Sequence, residues 1–249
     1  MKTEWDYTKL ADAYIKRPDY SETVIDAMLA IAKTSTNSKV CDIGAGVAHL
    51  TLMLAKRNCL VDAVEPNDAM RVNGIERTRE YTNVTWHEGT GEESNQAERT
   101  FELVTFGSSF NVCNRQKALT ETAKILRPAG WFGCMWNHRD LSDPIQSEIE
   151  EIIRNRIPEY GYGTRREDQS LEIKRCGLFS NVMHLSSEII HEQTVDECLV
   201  AWKSHATLER QAGSSFEQII EDIDNFLSQI GENSIKIPYS TKLWMAQCR

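Results

Sequence analysis

The segment from Val40 to Leu50, with the sequence VCDIGAGVAHL, restricts the folds open to this chain more than any other. It is typical of a strand that runs into a glycine-rich turn and then into a helix. Gly44 and Gly46 allow the backbone to approach a ligand closely, and a helix start offers unpaired N–H groups. Glu65 ends the next apolar run, where a carboxylate can accept both hydroxyls of a ribose. The segment therefore predicts a site for an adenosine-containing ligand.

Strand and helix patterns alternate between residues 37 and 140. Short apolar runs flanked by turn residues predict strands at 39–43, 59–65, 83–88, 101–107 and 130–137. Helical spacing lies between them, at 47–57, 67–80 and 115–126. This alternation predicts the α/β class, with a doubly wound parallel sheet that helices cover on both faces.

The two flanking regions have different patterns. Ahead of the core, helices are predicted at 4–14 and 21–33. Beyond it, the predictions are helices at 144–156 and 165–176, a strand at 181–193, helices at 194–209 and 215–230, and a final strand. The economical arrangement is a helical insertion between two late strands, with the last strand returning antiparallel. We expect one domain over 1–249, divided into 1–36, a cofactor-binding core at 37–140 and a C-terminal part at 141–249.

Composition excludes several classes of protein. The chain has 249 residues and a formal net charge of −9, which argues against a general binder of nucleic acid. No apolar run approaches the roughly 20 residues of a membrane span, and the polar start is unlike a secretory signal. The seven cysteines include no Cys-x-x-Cys pair, which predicts a reducing, cytoplasmic location and no structural zinc. No cluster has metal-ligand spacing, so no metal is expected. The oligomeric state is left open.

The glycine turn also separates two kinds of cofactor. A dinucleotide fingerprint would place a third glycine at position 49, where this chain has His49. The spacing fits Asp-x-Gly-x-Gly, and the carboxylate of Asp42 suits the ammonium of an amino-acid tail, reached through water or a loop amide. S-adenosylmethionine therefore fits the pattern better than NAD. Ala48 is expected in the first helical turn, where a methyl group costs little.

Several motifs then occur in the order of one known family. DIGAG, VEPNDAM, GTGEE, FELVTFGSSF and ALTETAKILRPAGWF resemble the successive motifs of class I S-adenosylmethionine-dependent methyltransferases, in the small-molecule (methyltransferase type 11-like) branch. The resemblance covers about residues 10–140. It implies a Rossmann-like seven-stranded sheet with an antiparallel last strand, an N-terminal helical lid over 1–36 and a helical substrate cover at about 192–232.

The resemblance also implies roles for individual residues. The cofactor would be held by the lid, the glycine turn, the second-strand acid and the loops after the third and fourth strands. These residues are Tyr14, Arg17, Asp42, Gly44, Ala45, Gly46, Glu65, Pro66, Met70, Thr90, Gly91, Glu92, Ser108 and Ser109. Relatives often have a His-Trp pair where this chain has Asn111-Val112, on the substrate side. Where relatives have Leu-x-Pro-Gly-Gly, this chain has Ala129, which a type I turn would accept.

The catalytic and substrate residues follow from chemistry and position. His138, just beyond the fifth predicted strand, is the best candidate for a general base, with a turn histidine as the alternative. His49 is expected to be a packing or helix-surface residue. Arg165 and Arg166 suit an anionic substrate, because guanidinium pairs well with carboxylate or phosphate; a solvated helix start is the alternative.

We therefore predict a methyltransferase that acts on a small molecule, with O-methylation preferred over N-methylation. That preference depends on His138 and on the lack of a visible acidic cluster that would bind an amine. Two other classes stay open: an NAD-type oxidoreductase and a non-catalytic module that keeps the fold.

Overall fold

The computed structural model describes residues 11–249 and contains a seven-stranded sheet. The strands are β1 (Lys39–Ile43), β2 (Leu60–Val64), β3 (Val84–His87), β4 (Phe101–Gly107), β5 (Leu126–Arg139), β6 (Phe179–Thr194) and β7 (Ser234–Cys248). Each strand predicted from the sequence is present. β5 begins four residues earlier than expected.

The strand order is β3-β2-β1-β4-β5-β7-β6. β1 pairs in parallel with β2 on one side and β4 on the other, so that Val40 lies opposite both Val61 and Leu103. β7 lies between β5 and β6 and runs antiparallel to both. The predicted Rossmann-like sheet, with its last strand antiparallel, is therefore confirmed. The order reverses next to β1, and that switch point is where ligands bind in open α/β sheets.

The helices flank this sheet. They are α1 (Ala11–Tyr14), α2 (Glu22–Ile31), α3 (His49–Ala55), α4 (Asp68–Thr78), α5 (Arg115–Ile125), α6 (Pro144–Arg156), α7 (Ser170–Arg175), α8 (Val195–Lys203), α9 (Ala206–Ala212) and α10 (Phe216–Ser228). The first part of the helix predicted at 4–14 lies outside the described residues. Two predictions were wrong in detail. Residues 163–166 form a short 3-10 turn ahead of α7, and the helix predicted at 194–209 is divided into α8 and α9 at His205.

The sheet separates two apolar cores. Leu103 and Val104 are successive on β4 and belong to opposite cores, because side chains of a strand alternate between its faces. α5 packs on the face of Val104, and α2 packs on the other through Ile25 and Met28, neither of which is exposed. α2 lies within the predicted lid but is part of a core. Among the described residues of that lid, the segment before α2, from Tyr14 to Tyr20, lines the cavity described below.

A third core lies under the C-terminal helices. Trp202 of α8 and Ile223 of α10 pack with Ile153 of α6 and with Tyr239 near the start of β7. The insertion between β6 and β7 thus covers the sheet beside the end of β5. Between residues 11 and 249, none of the helices combines the length and the apolarity needed to cross a bilayer.

The turn that leads into the last part of β5 differs from its prediction. Ala129 has φ +61°, the left-handed value that a type II turn requires at its third position, so the predicted type I turn was wrong. Alanine adopts this region at a cost of about 1–2 kcal/mol.

Candidate active site

The glycine turn connects β1 to α3 at the switch point. Gly44 and Gly46 have φ values of +69° and +56°, which glycine adopts without steric cost. The amide nitrogens of Gly44 and Ala45 both donate to the carbonyl oxygen of Val64, at 2.8 and 3.1 Å. At Gly44 the backbone passes so close to β4 that an added Cβ would lie 2.3 Å from the Cβ of Ser109. The turn is therefore held between β2 and the end of β4.

Ala48 lies before the first helical turn and not within it, so its prediction was wrong. It is the residue before α3, its φ is +72°, and no side chain caps the helix start. A positive φ is costly for alanine. Since Ala48 is completely buried, its packed methyl group offsets part of that cost.

The carboxylate of Glu65 holds the turn from the side of β2. Its Oε2 accepts from the amide of Gly46 at 2.9 Å, and its Oε1 accepts from the amide of Asn67 at 2.8 Å. Burial raises the pKa of Glu65, while the two amides lower it. A carboxylate has about four acceptor positions, so each oxygen can still accept a hydroxyl. The predicted ribose contact is compatible with this geometry.

Asp42 lies at the base of the same turn. Its Oδ2 accepts from the hydroxyl of Thr51 at 2.7 Å, and its Oδ1 accepts from Thr105 at 3.0 Å. Burial raises the pKa of Asp42 to about 6, against the effect of both threonines. Asp42 thus takes up a proton close to neutral pH unless a cation stabilises its charge.

We expect the affinity for S-adenosylmethionine to fall about tenfold between pH 7 and pH 5. The raised pKa means that Asp42 is protonated below about pH 6, so a cationic ligand has to displace a proton there. Titration calorimetry across this range measures the effect. In Asp42→Asn the dependence should disappear; if it persists there, a group other than Asp42 causes it.

The loops after β3 and β4 form two further sides of the site. The hydroxyl of Thr90 accepts from the amide of Glu93, and Glu92 accepts from the amide of Asn114, so both predicted cofactor residues have hydrogen-bond partners in these loops. A Cβ at Gly91 would lie 2.5 Å from Sγ of Cys113. The loop therefore packs tightly against the segment that follows β4.

The two serines after β4 have separate partners. The Ser109 hydroxyl donates to the carbonyl oxygen of Ile43 at 2.6 Å, and Oγ of Ser108 lies 2.8 Å from the hydroxyl of Tyr20. Tyr20 is a residue that the sequence analysis missed as a site residue; its place in the motif Arg17-Pro18-x-Tyr20 was the available signal.

The N-terminal segment lies over the turn. The guanidinium carbon of Arg17 lies 3.5 Å from the centre of the Tyr14 ring. Nδ1 of His49 is 2.7 Å from Oδ1 of Asp19, and its Nε2 is 2.8 Å from the carbonyl oxygen of Tyr14. Both partners are acceptors, so a ring protonated on both nitrogens donates to both. His49, expected as a packing or surface residue, ties this segment to α3.

His138 lies inside β5, opposite Ser240 of β7, rather than beyond the strand as predicted. Its side chain is nearly buried, and Nε2 lies 3.0 Å from the carbonyl oxygen of Arg165. Because a carbonyl only accepts, Nε2 carries the proton and Nδ1 of the neutral ring carries none. Burial, followed by the charge of Arg166, lowers the pKa of His138 to about 4. The ring is therefore neutral at physiological pH.

All eighteen residues predicted for the site line one cavity, at the carboxyl ends of the parallel strands. The cofactor candidates surround the turn, whereas His138, Arg165 and Arg166 lie towards β5 and β7. Asn111 lies between them and accepts from Nε1 of Trp136 at 2.8 Å. The cavity is also lined by residues that the sequence analysis missed, among them Tyr20, Arg139, Tyr162, His205 and Tyr239. Their roles and those of the predicted residues stay predictions.

Fold and cavity together define a Rossmann-like methyltransferase domain, and comparisons with known proteins agree. Residues 40–130 match the family described as a methyltransferase domain. An uncharacterized methyltransferase of Mycobacterium tuberculosis is 31% identical over 137 residues, which cover 55% of this chain and 54% of that protein. The chain thus spans about half the length of the curated relatives it matches.

Two solved structures share the fold. A putative type II methyltransferase from Anaeromyxobacter dehalogenans is similar over 93% of this chain and 97% of its own, with a TM-score of 0.67 and 14% identity. Phosphoethanolamine N-methyltransferase 2 from Haemonchus contortus, in complex with phosphomonomethylethanolamine and S-adenosylhomocysteine, is similar over 96% of this chain and 56% of its own, with a TM-score of 0.55 and 14% identity. Residues 40–130 thus match a methyltransferase domain, and the sheet has the Rossmann-like fold of these methyltransferases.

Proposed function

We propose that this protein transfers a methyl group from S-adenosylmethionine to an oxygen of a small molecule. The observation that carries the proposal is one cavity with two different ends. One end is formed by the glycine turn with Asp42 and Glu65, and the other contains a neutral histidine, His138, at the carboxyl end of β5.

The residues at the first end suit the cofactor. The carboxylates that line the cavity, Asp42, Glu65 and Glu92, all belong to this end, which favours a ligand with a sulfonium and an ammonium. Glu65 would hold the ribose, and Arg17 of the N-terminal segment the carboxylate of the methionine part. Bound S-adenosylmethionine supplies a methyl group already activated by its sulfonium for in-line displacement. The Haemonchus neighbour, whose structure contains S-adenosylhomocysteine, is consistent with this cofactor.

The residues at the second end favour an oxygen nucleophile. Among the described residues, the side chains lining the cavity there include arginines and no carboxylate, so an ammonium acceptor would be repelled. His138 can take a proton at Nδ1, because its Nε2 is committed to the carbonyl of Arg165. The main task of the protein is alignment of nucleophile and methyl carbon, which can contribute about 7–11 kcal/mol.

Ligand titration tests the cofactor assignment. We expect the protein to bind S-adenosylhomocysteine and S-adenosylmethionine with micromolar or tighter affinity and NADH not at all. Incubation with methyl-labelled S-adenosylmethionine and a panel of small molecules should then release S-adenosylhomocysteine. Binding of NADH alone would support an oxidoreductase. Binding of S-adenosylhomocysteine without turnover of any acceptor would support a non-catalytic module.

His138→Ala is expected to lower kcat about 100-fold or more, the usual contribution of a general base. The active form is the neutral ring. Since its pKa is lowered to about 4, kcat of the wild type at saturating S-adenosylmethionine should stay level from pH 8 to about pH 5 and fall only below that. Initial rates with an acceptor found in the panel measure both effects. His184→Gln is the matched control, because His184 lies on β6 and does not line the cavity. An unchanged kcat in His138→Ala at every pH would end the assignment.

A further inference from the structure

The basic end of the cavity contains three arginines that have no carboxylate partner. Arg139 ends β5, and Arg165 and Arg166 end the 3-10 turn before α7. Eight arginines in the described part of the chain form an ion pair with an aspartate or glutamate, but none of these three does so within residues 11–249. All three line the same cavity as His138.

Arg139 is held by aromatic rings rather than by acids. Its guanidinium carbon lies 4.3 Å from the centre of the Trp202 ring and 5.6 Å from that of Tyr239, its partner on β7. Its Nε is buried and donates to no group of the described residues. Rings of this kind attract a cation through their faces but accept no strong hydrogen bond. Nε of Arg139 therefore lacks an acceptor within the described residues.

The guanidinium groups of Arg165 and Arg166 both contact the ring of Tyr162. Their guanidinium carbons are 4.9 and 4.1 Å from the centre of the Tyr162 ring, so the two carbons are at most 9.0 Å apart. Arg166 donates through Nη2 to the carbonyl oxygen of Arg139, while its Nε is buried without a partner. Burial, together with the charges of Arg17 and Arg139, lowers the pKa of Arg165 to about 10.

This arrangement is costly without a ligand. A buried donor left without an acceptor is destabilising, and more so when it is charged. Like charges in a partly buried space add repulsion. An anion with two or three oxygens satisfies the donors and the charge at once, since guanidinium groups match carboxylate and phosphate in geometry.

The carboxylate of the cofactor does not meet this need. Gly44 follows β1, and β5 lies two strands away, or about 10 Å at the usual strand spacing. β7 lies one strand beyond β5, and its Tyr239 pairs with Arg139. Arg17, by contrast, belongs to the segment that lies over the glycine turn. Since the charge of Arg17 acts on Arg165, one carboxylate bound near Arg17 could also meet Arg165, but it leaves Arg139 and Arg166 unpaired.

We infer that the methyl acceptor is an acid whose carboxylate or phosphate group is bound by Arg139, Arg165 and Arg166. This inference rests on the proposed function, because it is that function which makes the bound acid the methyl acceptor. Arg139 is then a specificity-determining residue, although no sequence motif singles it out. The same arrangement explains why His138 lies next to Arg165: the carbonyl that orients the histidine belongs to a residue that binds the acceptor.

Binding of simple anions tests the inference. Succinate, benzoate and inorganic phosphate are titrated against the protein with and without saturating S-adenosylhomocysteine, at constant ionic strength. Succinamide and benzamide serve as the neutral counterparts. We expect at least one anion to bind with a millimolar or lower Kd and the amides not to bind. Arg139→Gln should weaken that anion about 10–100-fold, as expected for lost charge-assisted hydrogen bonds. Arg166→Gln should do the same if the first variant does not fold.

Two controls make the result specific. Arg175→Gln removes an exposed arginine of α7 outside the cavity and should bind the anion as the wild type does. The Kd for S-adenosylhomocysteine should change less than twofold in Arg139→Gln. Preference for carboxylates identifies an organic acid, and preference for phosphate a phosphorylated acceptor; either supports the inference.

Three results would overturn the inference. They are that no anion binds better than its amide, that Arg139→Gln leaves the anion affinity unchanged, or that this variant loses as much affinity for S-adenosylhomocysteine as for the anion. Failure of the proposed function would look different. The protein would then bind anions in an Arg139-dependent manner and would not bind S-adenosylhomocysteine at all.

Discussion

Substitution of Gly44 by alanine is expected to lower the melting temperature of the ligand-free protein by about 6–12 °C. The new Cβ would lie 2.3 Å from the Cβ of Ser109, and the residue would have to keep a φ of +69°. The strained φ costs about 1–2 kcal/mol and the overlap about 1–3 kcal/mol. In a chain of this length, each 1 kcal/mol lowers the melting temperature by about 2–4 °C. Thermal unfolding followed by calorimetry measures the change.

Gly46→Ala is the matched control for this experiment. Gly46 has nearly the same φ, at +56°, but an added Cβ would lie 3.8 Å from the terminal methyl of Met70 and 4.0 Å from the carbonyl oxygen of Gly44, both ordinary contacts. Its loss of stability should therefore be about that of the strained φ alone. In Gly44→Ala, a second change of Ser109 to glycine should recover part of the lost stability by removing the overlapping atom. Equal effects of the two single alanine variants would show that the close approach of the turn to β4 is unimportant.

Glu65→Ala is expected to weaken binding of S-adenosylhomocysteine about 100-fold or more. The substitution removes the proposed acceptor of the ribose hydroxyls, and hydrogen bonds to a charged group contribute about 1.5–3 kcal/mol each. It also leaves the amides of Gly46 and Asn67 without their acceptor, so the turn loses its support from β2. Titration calorimetry gives the Kd directly.

Two variants separate these effects from general damage. Glu65→Gln keeps one oxygen that can accept from a backbone amide, so its affinity should lie between those of the wild type and the alanine variant. Glu76→Ala removes an exposed carboxylate on α4 and should bind as the wild type does. If Glu65→Ala bound S-adenosylhomocysteine with wild-type affinity, the ribose assignment would be lost.

Much of the sheet could be predicted because its strands carry a strong local signal. Buried parallel strands such as β1 and β4 are short apolar runs between turn residues, and both were predicted with the bounds that the structure has. The antiparallel β7 alternates between buried and less buried residues along its first part, which is the period of a strand. These signals depend on neighbours in the chain and so are visible without a structure.

Local backbone conformation was harder to predict at two alanines. Ala48 and Ala129 both have positive φ values, where the sequence favoured a helical and a type I conformation. Helix and turn propensities place an alanine in the backbone region that has the lowest energy for this residue. The surrounding structure overrides a cost of about 1–2 kcal/mol when the chain path requires it.

The sequence by itself determined the class of fold, the cofactor end of the cavity and the order of its motifs. It could do so because the strand, the glycine turn, Glu65 and the loops follow one another at short, regular spacing. The sequence also selected His138, Arg165 and Arg166 for the other end, but only the tertiary structure decided which residues they contact. Arg139 meets Trp202 and Tyr239, and His138 meets Arg165, across β5, β7, α8 and the turn before α7. These contacts join residues up to 100 positions apart in the chain. No spacing rule connects them, because it is packing of the helical insertion on the sheet that brings them together.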